Sequence, residues 1–238
     1  MTWSIIARDC ATERLGIAVA SKFLAVGARV PHIAAGIGAV ATQALFNPFY
    51  GPRGLELLRE NVAPADVVAR LVAADDGRDH RQLHMMHWSG CSAAYTGAAC
   101  IDWCGCRDGD GFSLAGNMLS GPNVLDATAA AYRANAQLPF ARRLIVAMQA
   151  GEAAGGDKRG KQSAALLIYG KEEWSELDLR VDDHAEPLAE LERLERVSCE
   201  RWVHFRKFLP SRHNPVGITN RQVIETEIAA ALAAEVER

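Results

Sequence analysis

An α+β fold, with two mostly antiparallel sheets stacked between two helical layers, is predicted by three features of the 238-residue chain. Apolar runs short enough to be strands come in groups joined by tight polar turns, the habit of antiparallel hairpins. Helical patterns fall in pairs between those groups, not singly after each strand as in a parallel doubly wound sheet. Several strand runs are apolar at successive positions, so both of their faces need cover. A four-layer αββα sandwich meets all three demands.

Residues 2–7 and 15–20 (LGIAVA) are strand runs on either side of a polar turn. Residues 33–41 (IAAGIGAVA) read as a third strand, because Gly36 and Gly38 would each cost a helix about 1 kcal/mol relative to alanine. Within a strand they allow another backbone to approach closely. Pro48 and Pro52 make NPFYGPRG, residues 47–54, a turn-rich connection. Two helices follow, one striped by Leu55, Leu58 and Val62, the next opened by Pro64 and carrying Val67, Val68, Leu71 and Val72. Residues 82–88, 91–96 and 111–119 are again strand-like, separated by glycine and aspartate turns. Pro122 opens a helix with Val124, Leu125, Thr128 and Tyr132 on one side, and 140–150 forms its companion. A loop at 155–161 leads to the apolar strand 163–169 and its partner 174–181. The charged run 186–206 and the segment 221–237, with Ile224, Ile228, Ala231 and Leu232 at helical spacing, are helices. The organisation expected is a sandwich domain over 1–184 and a helical extension over 185–238. The charged segment and the apolar stripe together point to a homo-oligomer, a two-fold dimer.

The 26 basic and 29 acidic side chains give a net charge of −3, which argues against a dedicated nucleic-acid binder. The 49% hydrophobic and 23% charged content is ordinary for a globular chain and excludes disorder as the main state. The opening MTWSIIARDC lacks the basic-then-apolar order of a secretory signal. No run reaches the ~18 apolar residues of a membrane helix. A cytoplasmic protein with no membrane partner is expected. Its six cysteines should then be reduced. Cys91, Cys100, Cys104 and Cys106 lie near His84, His87 and Asp102, yet paired C-x₂-C hooks are absent and Gly105 suits a turn, so these are read as ordinary thiols. No metal and no other cofactor is expected.

Thr2 carries the most chemistry. Once Met1 is removed, hydroxyl and α-amine sit on one residue, so nucleophile and base come together. An α-amine titrates near 7.7–8.0, which leaves about a tenth of it as free base at neutral pH. The loop GGDKRGKQS (155–163) approaches a phosphate-binding pattern but puts glutamine where the metal-holding hydroxyl belongs. It also runs from helix to strand, the reverse of a phosphate loop, so nucleotide hydrolysis is rejected. What remains is a basic loop with Asp157, Lys158, Arg159 and Lys161, suited to an anionic substrate group. Gln43, Asn47 and Asn117 bring carboxamides into apolar surroundings, where an amide can donate to a developing oxyanion. The seven histidines show no catalytic spacing and are read as structural or exposed; no G-x-S-x-G elbow occurs.

Several stretches taken together resemble a bacterial family of unknown function that is classed with the N-terminal-nucleophile (Ntn) hydrolases. They are TWSIIARD, LGIAVASKFLAVGARVPH, GAVATQALFNPFYGPRGLELL, GAACIDWCGC, FSLAGNMLSGPNVLDA, GGDKRGKQSAALL and DLRVDDH. The resemblance implies an αββα sandwich with Thr2 heading the first strand, between the sheets. The strand 33–41 lacks the lysine that proteasome-like members place on an early strand, and Lys22 follows the second strand instead. Proteasome-style peptidolysis is therefore not expected. The expected function is an amidohydrolase acting on a small amide: Thr2 attacks, Asn117 or Gln43 steadies the oxyanion, and Arg159 or Lys22 holds a substrate carboxylate, with Asn47 and Asp157 beside them. The alternative is a non-catalytic ligand-binding or structural protein on the same fold.

Overall fold

The computed structural model describes residues 2–236, and the chain divides into two compact units, Met1–Leu191 and Glu192–Arg238. In the first unit, β1 (Thr2–Asp9) and β2 (Arg14–Ser21) form the opening hairpin, with both faces buried along most of each strand. The single strand expected over 33–41 is instead a second hairpin, β3 (Pro31–Ala34) and β4 (Gly38–Ala44). Gly36 makes the turn with a φ of 71°. Gly38 is the glycine that admits a neighbour, since a methyl group there would lie 2.5 Å from the Met86 carbonyl oxygen.

α1 (Tyr50–Arg59) starts inside the stretch read as a turn. Pro52 occupies its first turn, where a missing N–H forfeits no intrahelical bond. α2 (Pro64–Ala73) begins at its proline as expected and buries Val67, Val68 and Leu71. Four strands then precede the second helix pair where three were expected: β5 (Arg81–His87), β6 (Ser92–Thr96), β7 (Trp103–Gly109) and β8 (Phe112–Leu119). Gly105, expected in a turn, lies within β7. This strand is half-buried at a sheet edge, so it carries no apolar alternation to reveal it; the Trp103 ring folds back over Gly105 and Arg107 stands 5.9 Å from that ring. α3 (Asn123–Ala134), α4 (Phe140–Ala153), β9 (Ser163–Tyr169) and β10 (Ser175–Val181) follow, and α5 (Pro187–Glu200) crosses the boundary between the units.

Two antiparallel sheets result, ordered β10-β9-β2-β1-β8-β7 and β3-β4-β5-β6. Ile6, Leu15, Ile17 and Val19 of the first sheet pack against Ala39, Ala41 and Met86 of the second. The second sheet turns Val40, Leu83 and Met85 outward to Tyr50 and Leu58 of α1 and Val67 and Leu71 of α2. On the outside of the first sheet, Phe140 and Leu144 of α4 press on Gly16, and Gly151 lies against the Trp3 indole. The unit is a mixed α+β structure of helix, sheet, sheet and helix layers.

In the second unit, the helix expected over 186–206 breaks at Arg201, whose φ of −149° is not helical, and α6 (Trp202–Phe205) restarts it. α7 (Arg221–Val236) covers the described part of the last predicted helix; Glu237 lies outside the described residues. Its stripe is not a bare face: Ile224 and Ile228 are buried with Phe208, and Phe205 and Leu232 pack against them. Among the described residues, no helix is long and apolar enough to cross a membrane.

Candidate functional site

Directly paired residues of antiparallel strands point to the same face of a sheet. The register places Ser163, Ser21, Thr2 and Asn117 side by side across β9, β2, β1 and β8. On the second sheet it places Gln43, Gln82 and Thr96 side by side across β4, β5 and β6. Two polar rows thus face each other at one end of a largely hydrocarbon interior.

The two carboxamides expected near Thr2 are aimed by local backbone irregularities. β8 spends one extra residue between its pairings with Trp103 and Gly105, a bulge whose Met118 has φ 54°. Such insertions redirect the neighbouring side chain, here Asn117. Gln43 is likewise followed by Ala44 at φ 68°. A left-handed residue other than glycine costs roughly 1–2 kcal/mol, which the surrounding contacts must offset.

Gln43 Nε2 and Asn117 Nδ2 both donate to the Thr2 carbonyl oxygen, at 3.4 and 3.3 Å. Their other hydrogens go to Gln82 Oε1, at 2.8 and 3.0 Å. Gln82 Nε2 in turn donates to the Gly116 carbonyl at 2.8 Å and to Thr96 Oγ1 at 2.9 Å. The Thr2 hydroxyl lies 3.1 Å from Ser21 Oγ.

One rung deeper, Ser4 Oγ donates to Gln43 Oε1 at 2.7 Å. Having spent its only hydrogen, it accepts from His84 Nε2 at 2.8 Å, which assigns the Nε2–H tautomer. The bare Nδ1 then accepts from the Ser113 hydroxyl at 3.1 Å. His84 is wholly buried, and burial pushes its pKa down to about 3, so the ring is neutral. Chain direction along these bonds is therefore fixed from Ser113 to the Thr2 carbonyl.

Thr2 and Gln43 border a cleft of about 420 Å³. Phe23, Val26, Val30, Leu45 and Phe46 supply apolar wall, and Arg29 and Arg81 supply charge. Arg81 is already committed: its Nε donates to Asp75 at 3.1 Å and its NH1 to the Leu45 carbonyl. Asp75 also accepts from Asn47, Tyr50 and Gly77, and the Asn47 hydrogen bond foremost holds its carboxyl well below the usual carboxylate range.

Of the residues singled out from sequence, Thr2, Gln43 and Asn117 come together. Lys22, Asp157 and Arg159 form a separate group. The Asp157 carboxylate accepts the Lys22 backbone N–H at 2.7 Å and the Arg159 backbone N–H at 2.8 Å, pairs with the Arg159 guanidinium at 3.3 Å, and is 8% exposed. The Lys22 ammonium donates to the Lys161 carbonyl at 3.0 Å. Asp157 borders a smaller pocket of about 150 Å³ with Trp3, Ser21 and Lys161. Asn47 stands apart from both, closing the turn before α1: its Nδ2 donates to Asp75 at 2.9 Å and its Oδ1 accepts from Phe49 N at 3.0 Å. Burial raises the thiol pKa values of Cys100, Cys104 and Cys106. Among the described residues, no three His, Cys, Asp or Glu side chains gather as metal ligands would.

Sequence reasoning missed Ser4, Ser21, Gln82 and His84 as site residues, and Arg29 and Arg81 as cleft residues. A signal for two pairs existed. Thr2 with Ser4 and Gln82 with His84 are polar residues at i, i+2 in apolar strands, hence on one face each.

The crystal structure of SPO2555 from Silicibacter pomeroyi, described as a DUF1028 protein, is similar with a TM-score of 0.85 and 32% identity, over 92% of this chain and 99% of that one. Anbu (ancestral beta-subunit) from Yersinia bercovieri matches with a TM-score of 0.40 and 13% identity, over 82% of this chain and 96% of that one. No curated protein matches the chain. Residues 2–191 match the model of a family described as of unknown function. By that match and by its likeness to the Silicibacter protein, the chain belongs to the DUF1028 family.

Proposed function

We propose that this protein is an amide-bond hydrolase of the N-terminal-nucleophile kind, acting on a small amide. The observation that carries the reading is the placement of Thr2: it borders the cleft of about 420 Å³ while its carbonyl accepts from two carboxamides. The helix–sheet–sheet–helix layering supports it, being the arrangement that the family resemblance implied.

With Met1 removed, the α-amine takes the proton of Thr2 Oγ1 as that oxygen bonds to the substrate carbonyl carbon. The amine returns the proton to the leaving nitrogen as the C–N bond breaks, and an ester on Thr2 remains. Water then cleaves the ester, giving the acid and restoring the hydroxyl. Gln43 and Asn117 act here as positioning residues. Both hydrogens of each amide are engaged on the Thr2 carbonyl and Gln82, so they fix the nucleophile's backbone and leave the oxyanion to other donors.

A non-catalytic ligand-binding protein on this fold is the second reading, favoured by one observation. Among the described residues, the partner of Thr2 Oγ1 is the neutral Ser21 hydroxyl, and the Lys22 ammonium is turned to a backbone carbonyl. N-terminal sequencing and intact mass after incubation with an acylating β-lactone separate the two. Catalysis requires a chain beginning at Thr2 and an adduct on it that Thr2→Ala abolishes. Retained Met1 with no adduct leaves only the binding reading.

A further inference from the structure

We infer that Arg29 is the anchor for a substrate carboxylate, and that the small amide is therefore an anionic one with an apolar arm, of the N-acyl amino acid class. The inference rests on the Thr2 reading for its amide, but its binding half stands independently.

Two arginines border the cleft that Thr2 opens into. Arg81 is neutralised by Asp75 and tied to the Leu45 carbonyl, so it braces the wall. Arg29 is exposed and, among the described residues, its guanidinium has no ion pair or side-chain hydrogen bond. Among the described side chains that border this cleft, its charge is the one left for a ligand. The segment that carries it is braced: Val26 and Val30 on either side are buried, Ala25 N donates to the Asp182 carbonyl at 2.9 Å, and Val26 N donates to Ser163 Oγ at 3.2 Å. A guanidinium on such a support binds carboxylate through two parallel hydrogen bonds at little ordering cost.

The rest of the wall sets the other half of the ligand. Phe23 and Leu45 are 48% and 64% exposed, and Phe46 lies beside them. Exposed apolar surface of this kind is covered favourably by a hydrocarbon arm. The volume of about 420 Å³ falls in the small-molecule range of roughly 300–1,000 Å³. The cations of the other group are engaged elsewhere, Arg159 with Asp157 and Lys22 with the Lys161 carbonyl.

The test is calorimetric titration of the Thr2→Ala protein, which allows no turnover, with N-acetylphenylalanine and with its methyl ester. The acid is expected to bind at least tenfold tighter than the ester, and added salt to weaken the acid alone. Arg29→Gln should bring the acid down to the ester's affinity, while Arg29→Lys keeps part of the preference. An unchanged melting temperature checks that these surface variants fold. Equal affinity for acid and ester, an acid preference surviving Arg29→Gln, or no binding of either at millimolar concentration overturns the inference. Failure of the hydrolase reading shows separately, as wild-type protein that keeps the acid preference but forms no Thr2 adduct.

Discussion

Ser4 Oγ and His84 Nε2 meet at 2.8 Å across the gap between the two sheets. Hydrocarbon flanks the contact, with Ile6, Ile17 and Val19 on one side and Ala41 and Met86 on the other. In such surroundings a charged imidazole is disfavoured, and protonation would also take from Nδ1 its role as acceptor of the Ser113 hydroxyl.

That neutrality makes stability depend on pH. The ordinary histidine value of 6.5 is lowered to about 3 in the fold, so the unfolded chain takes the proton first as pH falls. The stabilisation is complete above about 6.5 and is lost progressively toward 3, at about 1.4 kcal/mol per pH unit. Between pH 7 and pH 5, urea unfolding should show wild type losing about 2 kcal/mol more than His84→Gln. Parallel losses in the two proteins would contradict the buried neutral ring.

Replacing Gln82 by methionine keeps the bulk and removes the acceptor shared by Gln43 and Asn117. Each buried donor left unmatched costs about 1–3 kcal/mol. The expected loss is about 3 kcal/mol, read calorimetrically as a fall in Tm of roughly 6–12 °C. Activity should fall further than stability accounts for, because the grip on the Thr2 carbonyl loosens with it.

Ala44 holds φ 68° immediately after Gln43. A β-branched side chain tolerates that conformation poorly. Ala44→Val should cost about 2 kcal/mol and lower kcat by moving the Gln43 amide, whereas Ala44→Gly should stay within about 1 kcal/mol of wild type. Equal stability of the two variants would mean that the backbone relaxes there.

Gly36 and Gly38 are two residues apart yet should fail for different reasons. At Gly36 nothing lies within 4 Å of an added methyl, and the cost is the φ of 71° alone. Gly36→Asn should therefore be milder than Gly36→Ala, since asparagine visits the left-handed region more readily. At Gly38 the methyl meets the Met86 carbonyl at 2.5 Å, so any side chain wedges β4 from β5. Gly38→Ala should cost about 1–3 kcal/mol, and asparagine should rescue nothing. Denaturation midpoints of the alanine and asparagine variants at both positions decide it.

Much of the architecture was legible because burial on both faces wrote itself into runs such as LGIAVA and SAALLIY. The elements misread share a cause. β7 is an edge strand whose half-buried residues need no apolar pattern, and the β3–β4 turn is carried by a glycine that equally suits a strand. At the site, Thr2, Gln43 and Asn117 could be singled out by type, but their meeting depends on register across three strand pairings, which periodicity does not encode. Gln82 stayed hidden because it has no chemistry of its own; it matters through what it holds. Lys22, Asp157 and Arg159 share with the threonine only a polar or charged type, and the fold alone separates the loop they tie together from the cleft that Thr2 borders.

The facing polar rows also bear on how the strands find their alignment. Were β1 to slide by two residues against β2 and β8, every side chain would keep its proper face, and a wholly aliphatic interior would object only mildly. Here the slide would carry Ser4 into the place of Thr2 and set Ile6 against the imidazole, stranding several hydrogen-bonding groups at once. The same groups that hold the threonine thus act as a vernier, penalising the one misalignment that oil-like packing would let pass.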